Sequence, residues 1–112
     1  MSRADHESCI EACIACARAC EECFAACIHE SHMSMMAECI RLDRDCAELC
    51  WTTAALLQRD SEFAHDLCGL CAEVCRACGA ECNNHNVDHC RHCAEMCHRC
   101  AEECGRMVTA SV

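Results

Sequence analysis

The chain has no proline, no tyrosine and only three glycines among its 112 residues. Without proline nothing forces a helix to break, and with so little glycine a turn-rich β fold has few places to turn. An all-α fold of long helices is therefore expected. No stretch approaches the ~18 consecutive apolar residues that cross a membrane. The opening residues, MSRADHESC, lack an apolar run behind a positive segment, so they read neither as a secretory signal nor as a twin-arginine leader. Lysine is missing as well. The nine basic residues are all arginine, unclustered and outweighed by 19 acids, for a formal charge of -10. Phosphate binding needs a basic face, so nucleic acid is excluded as a partner, and no membrane partner is expected. An acidic surface agrees with a collector of cations, but it serves solubility equally well.

What the chain has in excess is cysteine, 19 residues of it, where roughly 8–10% already signals a cysteine-dependent scaffold. The length suits one small domain, 1–112, with a single core. Many thiols and no leader point to the cytoplasm, which keeps them reduced. Their odd number argues against a fully paired disulfide framework.

The thiols are ordered. Three fifteen-residue stretches, CIACARACEECFAAC (Cys13 to Cys27), CGLCAEVCRACGAEC (Cys68 to Cys82) and CRHCAEMCHRCAEEC (Cys90 to Cys104), carry cysteine at places one, four, eight, eleven and fifteen. They hold Cys13, Cys16, Cys20, Cys23 and Cys27; Cys68, Cys71, Cys75, Cys78 and Cys82; and Cys90, Cys93, Cys97, Cys100 and Cys104. A fourth stretch, MAECIRLDRDCAELC, keeps Cys39, Cys46 and Cys50 but has Met36 and Asp43 at the other two places. Cys9 extends the first track. On an α-helix such positions return to one face, so the thiols from Cys9 to Cys27 form a ladder about 80° wide and ~27 Å long.

The second helix is expected from about Met33 to Gln58, capped by Ser31 or Ser34. The third follows the turn at Arg59, Asp60 and Ser61 and ends near Asn83 and Asn84, and the fourth begins at Asn86 or Val87. Connections this short join antiparallel neighbours, giving an up-down-up-down four-helix bundle with a cysteine-lined core. Beside the thiols runs a hydrocarbon band of Ile10, Ile14, Phe24, Ile28, Leu49, Leu56, Leu67, Leu70 and Val74. It should seal helix to helix and leave some residues, with Ile40 and Trp51, for self-association. Glu11, Arg18, Glu48, Glu73, Glu95 and Arg99 fall opposite the stripes and read as solvated.

Buried cysteine can be plain packing, but leucine or valine would bury more area at each site. A disulfide core would demand the narrow bridging geometry again and again between rigid rods. Metal binding remains, and thiolate suits Cu(I), zinc and iron–sulfur clusters. Four thiolates around each Zn²⁺ leave two negative charges in low dielectric, whereas each Cu⁺ cancels one thiolate. Two-coordinate copper needs only a pair of sulfurs, which i and i+4 supply. Iron–sulfur clusters want four cysteines enclosing a pocket, which straight ladders do not offer. A general thiolate buffer for zinc or cadmium, of metallothionein type, stays as the alternative, and a redox-active thiol protein as a third reading.

Met36 fits as a soft thioether ligand or a gap-filling core residue. Asp43 on the inward stripe is costly unless it binds metal, takes a thiol hydrogen bond or turns to an arginine such as Arg44. One bundle end gathers His29, His32, Met33, Met36, His85 and His89 around Cys27, Cys39, Cys82 and Cys90, as a mouth would. The other meets Leu56, Leu57, Phe63, Ala64 and Val108, an apolar plug. His6, His65, His92 and His98 receive no role, and no nucleophile, base and oxyanion arrangement suggests an enzyme.

The repeated Cys-x2-Cys-x3-Cys-x2-Cys-x3-Cys register, in a short chain with a His/Met-rich bundle end, resembles the bacterial copper storage proteins from Cys9 to Cys104. The resemblance implies storage of many Cu(I) ions along the core, no catalysis, assembly into a homotetramer, and the cytosolic rather than the exported kind. Met36 and Asp43 depart from an all-cysteine pattern. A copper chaperone or efflux protein is the partner that such storage would call for.

Overall fold

The computed structural model describes residues 3–110. Four helices follow one another: α1 (Arg3–Cys27), α2 (Ala37–Gln58), α3 (Ala64–Cys82) and α4 (Asp88–Ala110), with a single 3-10 turn over Met33–Met36 ahead of α2. No helix among the described residues is long and apolar enough to cross a membrane. Helix α1 packs on α2 and α4, and α3 packs on the same two, so each helix has two neighbours around a common axis. The bundle measures 45 × 20 × 18 Å.

The expected second helix is thus split, with its first turn wound tighter. Neither Ser31 nor Ser34 caps it: the residues at those helix starts are His32 and Met36, and neither makes a side-chain cap. A serine does act at the next corner, where Ser61 Oγ accepts the Phe63 N–H at 3.1 Å. That corner closes α2 with two backbone bonds, Ser61 N–H to the Leu56 carbonyl at 2.9 Å and Asp60 N–H to the Leu57 carbonyl at 3.2 Å. This is the helix ending that usually employs glycine at a left-handed position. Asp60 fills that position with φ 53°, as the short acidic side chain allows.

Alanine, more than the hydrocarbon band, brings the helices together. Ala12, Ala17, Ala19, Ala47, Ala54, Ala72, Ala94 and Ala101 are buried beside the thiols, and small side chains let the rods approach. Gly79 marks a close approach: a Cβ there would sit 3.2 Å from Cys97 Cβ and 3.0 Å from the His98 ring on α4. Ile10 is buried, and Leu49, Leu56 and Val74 pack partly against the core. The rest of the expected seal differs. Ile14 (37%), Ile28 and Leu70 (47%) are exposed. Trp51 is exposed too, while Ile40 packs on the core. Glu11, Arg18, Glu48, Glu73, Glu95 and Arg99 all face solvent.

Candidate metal centre

The cysteine spacing turns every thiol inward, and all 19 are free and fully buried. Along single helices, sulfurs four residues apart stand 3.8–4.0 Å from each other at Cys23–Cys27, Cys46–Cys50, Cys71–Cys75, Cys93–Cys97 and Cys100–Cys104. Between neighbouring helices the spacing is the same or shorter: Cys39–Cys82 3.5 Å, Cys46–Cys75 3.6 Å, Cys16–Cys97 3.7 Å and Cys20–Cys93 3.7 Å. Contacts even cross the diagonal, Cys16 to Cys75 at 4.0 Å and Cys50 to Cys100 at 3.8 Å. Sulfur therefore fills the axis. These separations lie far outside a bonded S–S length of about 2.05 Å.

Groups of four sulfurs gather within 4.8 Å of one another, among them Cys13, Cys71, Cys100 and Cys104; Cys16, Cys46, Cys50 and Cys75; Cys20, Cys78, Cys93 and Cys97; and Cys23, Cys27, Cys39 and Cys90. Distance alone does not choose the ion, since a tetrahedral zinc with bonds of about 2.3 Å also sets its sulfurs near 3.8 Å apart. Two other facts do. The groups share members, for Cys16, Cys46, Cys20 and Cys97 also form a four of their own, so the column has no natural partition. And the core contains no counter-cation: its only buried polar residues among those described are Asp43 and Thr53. Four zinc ions in the four groups would leave about eight uncompensated negative charges in low dielectric. Monovalent ions shared along the column leave few.

Asp43 is wholly buried and surrounded by thiols, with Oδ1 accepting from Cys78 at 3.3 Å, Cys93 at 3.4 Å and Cys82 at 3.7 Å, and Oδ2 from Cys39 at 3.8 Å. It does not turn to Arg44, which instead pairs with Glu21 and lies 5.1 Å over the Phe24 ring. Burial above all pushes the Asp43 carboxyl from 3.8 up to about 9. In the metal-free protein it is a neutral acid at pH 7. Burial also pushes the Cys27 thiol up to about 12 and raises Cys90. Cys39 is the exception at this end, held down to about 3 by hydrogen bonds from Cys23 and Cys82.

Of the imidazoles expected at the mouth, the structure brings His89 onto the thiols. Its Nδ1 lies 3.6 Å from Cys23, 3.6 Å from Cys90 and 3.9 Å from Cys27, while Nε2 stands 2.9 Å from Glu30 Oε1. A carboxylate that takes one ring N–H leaves the other nitrogen free to bind metal. Glu30 escaped the sequence reading because it lies in a loop, with no helical register to mark it. His85 instead pairs with Glu81 at 2.8 Å. His29, His32 and Met33 are exposed on the turn before α2, and Met36 is buried beside the thiol column.

The opposite end is packed, with a different membership from the one expected. Leu57 and Ala64 are buried, Leu56 partly so, whereas Phe63 (62%) and Val108 are exposed. Phe63 precedes the first turn of α3 and has no register to hold it inward. Met107, three residues past Cys104 on the α4 stripe, takes its place, and the α2 stripe continues through Thr53 to Leu57. The same count of three and four that found the thiols would have found both.

A family model described as copper storage protein matches residues 2–109. The cysteine-rich Bacillus subtilis protein YhjQ is 50% identical over 80 residues, which are 71% of this chain and 74% of that one. The Cu(I)-bound Bacillus subtilis copper storage protein Csp3 superposes with a TM-score of 0.89 at 48% identity, over 93% of this chain and 98% of its own. A cytosolic copper storage protein from Streptomyces lividans, solved with five coppers, superposes with a TM-score of 0.92 at 40% identity, over 96% and 94%.

Proposed function

This chain belongs to the copper storage protein family, and from that premise we propose that it stores many Cu(I) ions along the bundle axis, approaching one copper per cysteine. The observation that carries the reading is the undivided sulfur column without a buried cation. Each Cu⁺ that binds replaces a thiol proton and leaves its pair of sulfurs close to neutral, so copper can be added without accumulating charge. All 19 cysteines serve as ligands in this scheme. Asp43, neutral before loading, ionises when a cation arrives beside it and then supplies an oxygen ligand or a counter-charge.

Copper enters past His89, whose Nδ1 is presented to Cys23, Cys27 and Cys90 by Glu30. His32 and His85 form the outer ring of that mouth and meet the ion first, and Met36, buried beside the thiols, offers a thioether behind them. The protein is not an enzyme; it works in the cytoplasm, exchanging copper with a chaperone or efflux partner. It assembles as a homotetramer through faces that include the exposed Trp51, Ile14 and Leu70.

The test is an anaerobic titration of the reduced protein with Cu(I) against a chromophoric chelator, with Zn²⁺ run in parallel. Uptake approaching one copper per cysteine that survives excess zinc is expected. Saturation at one metal per four cysteines, with zinc preferred, would replace this reading by the thiolate buffer.

A further inference from the structure

The two helices that begin at the packed end open alike. His6-Glu7-Ser8-Cys9 starts α1 and His65-Asp66-Leu67-Cys68 starts α3, so each places a histidine one turn outside the last thiol of its stripe, on the same helical face. The two rings meet edge to face with centroids 6.0 Å apart. His6 is 16% exposed, and its Nδ1 lies 3.3 Å from Asp60 Oδ1. Arg3 shares that carboxylate at 3.5 Å. His6 Nε2, by contrast, is buried and has no hydrogen-bond partner among the described residues.

A buried ring nitrogen left idle is unusual, because buried polar atoms nearly always find a partner. With Nδ1–H given to Asp60, Nε2 carries the lone pair, which is the arrangement of a metal-binding imidazole backed by a carboxylate. One turn inward, Cys9 Sγ lies 3.8 Å from Cys104, and Cys68 is fully buried.

We propose that His6 Nε2 and the Cys9 sulfur form a second imidazole–thiolate Cu(I) site at the packed end of the bundle, oriented by Asp60 and flanked by His65 and Cys68. The site rests on the copper-storage reading for the identity of its ion. The chemistry is one neutral imidazole and one thiolate, whose single negative charge balances a soft monovalent cation.

Long-range ¹H–¹⁵N spectra of the histidine rings, recorded while reduced protein is titrated anaerobically with Cu(I), test it directly. The His6 Nε2 resonance should move as copper is added while Nδ1 keeps its proton, and Cys9→Ser should abolish the movement. Asp60→Asn keeps a residue that accepts the turn's positive φ and should weaken the site by about tenfold or more, with thiolate–copper absorption of the rest of the core still developing. Absorption that develops fully while His6 Nε2 stays still would overturn the site and leave storage standing. No thiolate–copper absorption at all would overturn both.

Discussion

The two ends of this bundle use similar ligand chemistry and opposite packing. At the α3–α4 loop, His89 is backed by Glu30 and touches three thiols, with exposed His29, His32 and Met33 around it. At the α2–α3 corner, His6 is backed by Asp60, and Leu57, Ala64 and Met107 are buried in the same end of the bundle. Which nitrogen is free differs as well, Nδ1 for His89 and Nε2 for His6, because the carboxylate reaches the ring from opposite sides. The lesson is a division of labour. The packed end holds the helices together so that the loop end can remain open to exchange.

The strongest way to break that division is to hollow out the packed end. Leu57 is fully buried, and Leu57→Ala should lower the stability of the metal-free protein by about 2–5 kcal/mol, as truncation in a close-packed core does. Chemical denaturation followed by circular dichroism measures it. Met36→Ala at the loop end should cost clearly less, since its surroundings can relax toward solvent. Equal costs would mean the two ends are equally structural.

Asp43 lies between Cys39 and Cys46 on α2, toward the loop end, and gives that end a carboxylate-linked pH dependence. Its folded pKa is raised from 3.8 to about 9. The folded state therefore keeps a proton that the unfolded chain has already lost. The contribution is fully present below pH 3.8 and is lost as pH rises toward about 9. Metal-free protein should melt at a lower temperature at pH 8 than at pH 5, and Asp43→Asn, which cannot ionise, should flatten that slope. A slope that survives the substitution would have to come from the thiols.

Much of this was legible in the residues, and the reasons for success and failure are physical. The thiol register read out the bundle, since a side chain repeated at three and four residues can only face one way on a helix. Asp43 stood out because it broke the register. What escaped was held by contacts between distant segments. Glu30 reaches His89 and Asp60 reaches His6 only after antiparallel packing sets loop beside helix. The alanine seam was missed for another reason: alanine beside cysteine looks neutral in a sequence, yet small buried side chains set how closely rods can approach.

A narrower probe sharpens the loop end. Glu30→Gln leaves the ring of His89 in place but removes the charge that orients it, and the first copper bound should weaken by about tenfold. Competition with a chelator at less than one copper per chain isolates that step. The total capacity should not change, because no thiol is lost.

The smallest effect is expected where polar bonding, rather than apolar packing, is removed from the packed end. Thr53 is fully buried, and its hydroxyl donates to the Leu49 carbonyl at 2.7 Å, one turn earlier on α2. That carbonyl is already engaged in the helix, so Thr53→Val takes away a donor without stranding an acceptor. Stability should move by about 1 kcal/mol or less, with copper uptake unaltered. A large loss would mean that the hydroxyl, and not the apolar contact of Leu57 and Met107, is what keeps this end closed.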